Sequence, residues 1–283
     1  MNGIAIKNIS KNFGNINALD NVTITFEENK IYGLLGRNGA GKSTLLNIIT
    51  NRIFSDSGSI MINNQPAREN DQALRKVYLM SERDFYPESM KVKDAFKWTK
   101  EFYPDFDMEY AVSLSEKFTL NIKSKIKSLS TGYTTIFKVI TALASNVPYI
   151  LLDEPILGLD ANHRDLLYKI IIEKYSQFPC TIVMSTHLIE EIAPLIEDVI
   201  IIKEGKVISN DSKEELLSKG YTVSGPASLI EKYIEGKNVL SVHTIGGLKA
   251  AYVLEPPAHV NLPEGLEAGV MDLQTLFIQL TNI

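Results

Sequence analysis

The sequence predicts an α/β nucleotide-binding fold on a mostly parallel, buried sheet, followed by a small α+β appendage. Three observations lead there. A β-rich run over residues 30–35 ends in a glycine-rich turn, and residues 42–49 then read as a helix, the opening of an α/β nucleotide-binding unit. Apolar strands return at 149–152, 181–185 and 198–202, with a helical stretch over 164–175 between the first two. Composition is that of an ordinary globular protein, with 283 residues, 45% hydrophobic, 22% charged and 8% aromatic.

The elements follow in order. Two further β-rich runs, residues 3–9 and 22–26, precede the glycine turn. From about residue 88 to 148 the strand signal fades. Residues 92–102 and 108–118 carry apolar side chains at helical spacing, which predicts a helical insertion. The last 63 residues hold six of the 17 glycines and four of the 11 prolines, at net charge −3. There Pro226 precedes a helix over 229–235 that Gly236 ends. Residues 239–245 and 248–254 flank Gly246-Gly247 in a hairpin pattern, and Leu273, Leu276, Phe277 and Leu280 mark one face of a last helix. The expected topology of this appendage is βαββα. The expected division is a nucleotide-binding domain over 1–220, with a helical subdomain at about 88–148, and an accessory, regulatory or dimerisation domain over 221–283.

A net charge of −5 argues against broad electrostatic binding to nucleic acid or anionic lipid, but leaves room for a local basic patch. The single cysteine, Cys180, excludes an internal disulfide framework and fits a reducing compartment. No signal-peptide core stands at the N-terminus. The nearest approach to a membrane span, residues 139–152, is interrupted by Ser145, Asn146 and Pro148, and a spanning helix needs about 20 apolar residues. A cytoplasmic chain that does not cross a bilayer alone is expected.

Gly36-Arg37-Asn38-Gly39-Ala40-Gly41-Lys42-Ser43 fits G-x-x-x-x-G-K-[ST] in full, between a predicted strand and a predicted helix. Glycines let backbone N–H groups turn inward around phosphate oxygens, and the helix N-terminus adds positive potential. Lys42 is expected to reach the β- and γ-phosphates and the Ser43 hydroxyl to ligate Mg²⁺, with Thr44 next along the nucleotide-binding turn. No guanine-recognition motif is present. Phe13, upstream, offers a flat ring that either stacks on a base or simply packs.

Four further pieces follow in order. They are Leu129-Ser130-Thr131-Gly132-Tyr133, Tyr149-Ile-Leu-Leu-Asp153-Glu154-Pro155, Gly158-Leu159-Asp160, and His187 after Ser185-Thr186. Asp153 ends an apolar strand, so its carboxylate belongs at the sheet's carboxyl edge beside the phosphate loop, where it can hold Mg²⁺ through water. Together the pieces resemble the ATP-binding cassette (ABC) family over roughly residues 3 to 220. They match its signature (before a helix expected near Thr134), its Walker B strand, the end of its D-loop and its switch histidine. The resemblance implies ATP and Mg²⁺ as ligands. It makes Glu154 the carboxylate that positions and deprotonates the attacking water, and His187 the γ-phosphate sensor. It implies that the signature contacts ATP bound by a second cassette, in a homo- or heterodimer.

Departures from the family pattern are specific. Glu82 stands where the Q-loop glutamine is usual, and its carboxylate can still approach Mg²⁺. Thr131 and Tyr133 replace Gly and Gln in the signature, and Ile156-Leu157 replaces a more usual polar pair before Gly158. Aromatics between Phe96 and Tyr110, including Trp98, Phe102, Tyr103 and Phe106, read as packing of the insertion in preference to a base-stacking surface. Phe102-Tyr103-Pro104, with Glu82 and the altered signature, is similar to single-cassette subunits of bacterial ABC-2-type exporters. That branch implies a separate transmembrane permease at the inner face of the cell membrane, a peptide, antibiotic or small amphipathic cargo, and no nucleic acid. Two other readings stay open: a soluble cassette acting on ribosomes, DNA or cofactor assembly, and a catalytically weak regulatory cassette.

Overall fold

The computed structural model describes residues 2–83, 86–255 and 262–282, the last without its side chain. The chain opens with β1 (Gly3–Phe13), β2 (Ile16–Glu27), β3 (Ile31–Leu35), α1 (Lys42–Ile49), β4 (Ser57–Ile62), β5 (Gln65–Pro66), α2 (Asp71–Leu74) and β6 (Val77–Met80). The helical stretch is α3 (Val92–Phe102), α4 (Met108–Lys117) and α5 (Thr131–Ala144). There follow β7 (Tyr149–Asp153), α6 (Ala161–Gln177), β8 (Thr181–Thr186), α7 (Ile189–Ile192), β9 (Asp198–Lys203), β10 (Lys206–Ser212) and α8 (Lys213–Ser218). The remainder is β11 (Tyr221–Pro226), α9 (Ala227–Tyr233), β12 (Val239–Ile245), β13 (Leu248–Val253), β14 (Glu267–Val270) and α10 (Leu273–Asn282).

The central sheet runs β10-β9-β3-β8-β7-β6, parallel throughout except for the β9–β10 edge. Every residue of β3, β7 and β8 is buried, which is why the strand interiors read as apolar runs, with polar residues confined to the ends of β7 and β8. Period two still divides their side chains between two cores. Ile31, Leu35, Ile150, Leu152, Ile182 and Met184 face the helices α3 to α6. Tyr32, Leu34, Tyr149, Leu151 and Val183 face α1 and the antiparallel sheet β2-β1-β4-β5. The parallel register sets Leu35 beside Thr186 and Asp153 beside Ser185, so three strand ends meet at one edge.

Three expectations need correction. Helix α5 begins at Thr131 instead of near Thr134, because Ser130 caps it, its hydroxyl accepting the Tyr133 N–H at 3.3 Å. The terminal unit is βαβββα, with β14 added beside β11 in the sheet β12-β13-β11-β14. Among the aromatics of the insertion, Phe96 and Phe106 are core, but Trp98 and Phe102 lie on the outer face of α3, 40% and 57% exposed. One feature had no sequence signal at all. The small sheet has its own core of Tyr221, Val223, Ile230, Ala251, Val253 and Leu266, yet Met271, Leu273, Leu276 and Phe277 join the helical core of the larger unit.

Candidate nucleotide-binding site

The turn after β3 is held by backbone hydrogen bonds, one within it and one from the turn between β9 and β10. The Ala40 N–H donates to the Arg37 carbonyl at 3.0 Å, and the Gly205 N–H donates to the Ala40 carbonyl at 3.0 Å. Gly39 and Gly41 lie at φ 82° and 110°. At Gly41 a Cβ would stand 2.4 Å from the Ala18 carbonyl oxygen of β2, so only glycine fits. Gly36 is buried, Arg37, Asn38 and Gly39 are exposed, and Ser43 and Thr44 open the helix α1. Lys42 is buried and donates to the Gly36 carbonyl at 2.6 Å. Burial pushes its pKa down, opposed by the charges of Glu154 and Asp153. An anion entering the loop would replace that carbonyl as the partner of a desolvated ammonium.

Strand β7 delivers Asp153, 5% exposed. The Ser185 hydroxyl donates to its Oδ1 at 2.8 Å, and the Ser43 hydroxyl donates to the same carboxylate. Burial holds its pKa above the ordinary value, against the pull of those two hydroxyls. Glu154 turns out of the strand at φ 51°, a conformation that costs a non-glycine residue on the order of 1 kcal/mol. Both of its oxygens are engaged: the Thr186 hydroxyl donates to Oε2 at 2.7 Å, and His187 Nδ1 lies 2.9 Å from Oε1. The end of β8 thus braces both carboxylates. The motif pointed to His187; Ser185 and Thr186 were read only as the residues leading to it, although two hydroxyls at the end of a strand beside β7 were the signal for their role.

Among the described residues, no three His, Cys, Asp or Glu side chains form a metal cage. One buried carboxylate and one hydroxyl, Asp153 and Ser43, are the donors in reach of each other. That set fits Mg²⁺, which keeps waters and phosphate oxygens as most of its ligands. Glu82 lines a cavity of about 310 Å³ together with Asp153, Glu154 and Thr131. Its backbone carbonyl accepts from Lys138 at 2.5 Å. Phe13 ends β1, half exposed, with the Lys11 ammonium 5.4 Å from its ring centre.

Residues 129–133 form the approach to α5 and its first turn, with Ser130 and Thr131 exposed. The loop containing Gly158, Leu159 and Asp160 packs directly on them. A Cβ on Gly132 would stand 2.6 Å from the Gly158 carbonyl oxygen, and the Thr135 hydroxyl donates to the Leu157 carbonyl at 2.8 Å. Asp160 caps α6, accepting the His163 N–H at 2.9 Å, and its other oxygen lies 3.0 Å from His163 Nδ1. The His163 ring contacts Tyr133 and Phe118, with centroids 5.9 and 6.0 Å away. No sequence motif pointed to His163, which joins the two loops. Lys42, Ser43, Asp153, Glu154 and His187 therefore converge, while Ser130, Gly132, Tyr133 and Asp160 gather around the Gly158 loop and α6, with Leu129 and Thr131 also lining the cavity beside the two carboxylates.

The ABC transporter family model matches residues 19–157. An ABC transporter ATP-binding protein of Methanocaldococcus jannaschii is 34% identical over 221 residues, 76% of this chain and 80% of the relative. YtrB of Bacillus subtilis, an ABC transporter ATP-binding protein, is 29% identical over 67% of this chain, and the match spans 65% of its length. The galactose/methyl galactoside import ATP-binding protein MglA of Clostridium perfringens is 27% identical over 76% of this chain and 44% of its own. Among solved structures, an ATP-binding subunit of an ABC transporter superposes with a TM-score of 0.69 at 23% identity, covering 76% of this chain and 91% of that one. A dimeric post-hydrolysis cassette bound to ADP and Pi gives 0.66 at 24%, covering 74% and 98%. The chain belongs to the ATP-binding proteins of ABC transporters, and its cassette is an ABC ATPase.

Proposed function

We propose that this chain binds Mg-ATP at the glycine loop and hydrolyses it as one half of a head-to-tail pair of cassettes, driving a separate membrane permease. The observation that carries the reading is the carboxylate pair ending β7, Asp153 held by serine hydroxyls and Glu154 held by Thr186 and His187. The loop amides and the N-terminus of α1 bind the phosphates, and Lys42 exchanges the Gly36 carbonyl for phosphate oxygen. Ser43 and Asp153 would hold Mg²⁺, which supplies charge neutralisation at the β- and γ-phosphates when bound. Glu154 takes the proton of the attacking water. Both its oxygens accept hydrogen bonds in the structure, so turning His187 toward the γ-phosphate frees Oε1 for that water.

The exposed first turn of α5 is a second anion-attracting helix end. We assign it, through Ser130 and Gly132, to the γ-phosphate held by the partner cassette. The dimeric relative supports such pairing. A cavity of about 270 Å³ lined by Arg52, Tyr86, Trp98, Phe102 and Tyr103 supports docking of a permease helix beside residues 81–90. Residues 84 and 85 of that stretch lie outside the described ones. A place at the inner face of the membrane follows from that partner, since no described helix is long and apolar enough to cross a bilayer. Export of a peptide, antibiotic or small amphipathic cargo rests on the resemblance of residues 102–104, Glu82 and the signature alone. Two of the relatives, MglA and RbsA, carry import in their names.

Affinity purification from solubilised membranes tests the transport reading. Recovery with a multi-span membrane protein is expected; recovery only with ribosomes or nucleic acid would defeat it.

A further inference from the structure

The chain carries net charge −5, yet one surface gathers lysines without acids to match. Residues 88–93 and 122–127 run antiparallel. The Val92 N–H donates to the Ser124 carbonyl at 3.1 Å, Lys93 to Ile122 at 2.9 Å and Ile126 to Met90 at 2.9 Å. The bridge between the two segments sets Lys91 directly opposite Lys125. Lys125 is the bridge residue and leads into a single 3-10 turn over Ile126–Ser128; Ile126 is buried and Ile122 half-buried, while Lys123, Lys125 and Lys127 are exposed. Lys91 is exposed as well. Four exposed lysines are therefore gathered by this pair of segments, Lys91 and Lys125 directly opposite and Lys123 and Lys127 two residues to either side of Lys125, and none of them makes an ion pair or a side-chain hydrogen bond among the described residues. Glu88 and Asp94, the acids nearest in the first segment, pair with none of them.

Folding physics disfavours this arrangement. Like charges directly opposite across a ladder destabilise it. Lys91 is also the N-cap of α3, where it makes no side-chain cap and stands at the positive pole of the helix. A charge pattern that costs local stability points to a role on the surface. The residue type narrows the partner. Recognition of a defined carboxylate or phosphate in a groove favours the rigid fork of arginine, whereas mobile, hydrated ammonium groups suit a diffuse layer of anions.

We propose that Lys91, Lys123, Lys125 and Lys127 together bind the anionic lipid headgroups of a membrane directly. Lys91 follows a few residues after Tyr86, which walls the cavity assigned to the permease, so along the chain the lysines adjoin the segment at which that partner would dock. Only this continuity rests on the permease reading; the charges stand without it.

The test sediments the purified full chain with vesicles of phosphatidylcholine containing one-third phosphatidylglycerol, and with pure phosphatidylcholine vesicles, at physiological salt. Short single-stranded RNA serves as competitor. The chain is expected to favour the anionic vesicles by about ten-fold or more. Combined Lys91→Gln, Lys123→Gln, Lys125→Gln and Lys127→Gln should reduce binding to the phosphatidylcholine level. A control with Lys7→Gln, Lys169→Gln, Lys206→Gln and Lys232→Gln, all exposed elsewhere, should leave it unchanged. Absence of a preference for anionic vesicles, wild-type binding by the first variant, equal loss in the control, or displacement by RNA in preference to lipid would each overturn the proposal. ATP hydrolysis by both variants is read separately, so failure here leaves the ATPase reading standing.

Discussion

Glu154 sits at φ 51° with Thr186 donating to one oxygen and His187 against the other. A strained backbone held by two side chains of a neighbouring strand is a positioning device, and Thr186 is the part of it that can be removed without changing shape. Thr186→Val is expected to lower turnover about ten-fold with KM for ATP unchanged, and Thr186→Ser to restore it, in steady-state phosphate release. Asp153 makes a different statement. Burial holds its carboxyl above the ordinary 3.8, so the folded chain keeps that proton to higher pH than the unfolded chain does. Stability from this group is complete below the unfolded value and is lost as pH rises through the raised folded one. Asp153→Asn removes the buried charge. At neutral pH it is expected to raise the thermal midpoint by roughly 2 to 4 °C, to flatten the pH dependence of the midpoint above pH of about 4, and to abolish Mg²⁺-dependent turnover. At this scale the phosphate loop, Asp153, Glu154 and His187 were legible because each belongs to a short contiguous motif. Ser185 and Thr186 stood in the motif before His187, but their roles, like that of His163, act across strands and loops, where spacing along the chain does not show the partner.

Elements whose reasons are local matched the sequence reading closely. Helix α1 has the bounds of the helix expected after the glycine turn, and α3 those of the apolar periodicity over 92–102. Strand β10, Lys206-Val-Ile-Ser-Asn-Asp-Ser, is largely polar and exists through its pairing with β9; β14, Glu267-Ala-Gly-Val, exists through its pairing with β11. Docking of α10 on the larger core was equally invisible, because an apolar helix face does not name the surface it covers. Leu276 is 1% exposed in that interface. Leu276→Ala is expected to cost about 2 to 5 kcal/mol in denaturant unfolding while leaving nucleotide affinity intact. The contact between the first turn of α5 and the Gly158 loop is the other element-scale claim. Gly132→Ala forces a Cβ against the Gly158 carbonyl. It should reduce turnover by about ten-fold or more with ATP binding retained, measured by phosphate release and nucleotide titration.

On the scale of the whole molecule, three strand ends, one helix N-terminus and one glycine loop converge on the same edge of a buried parallel sheet, where α/β folds place their ligands. The chemistry assigned to that edge needs a base, a cation held by Ser43 and Asp153, and a second cassette to close over the γ-phosphate. The base is the piece that one substitution isolates. Phosphate release from saturating Mg-ATP by the intact chain and by Glu154→Gln, with ATP binding measured on both, tests the account most directly. The variant is expected to bind ATP as the parent does while release falls by about a hundred-fold or more. Unchanged release by Glu154→Gln would contradict it.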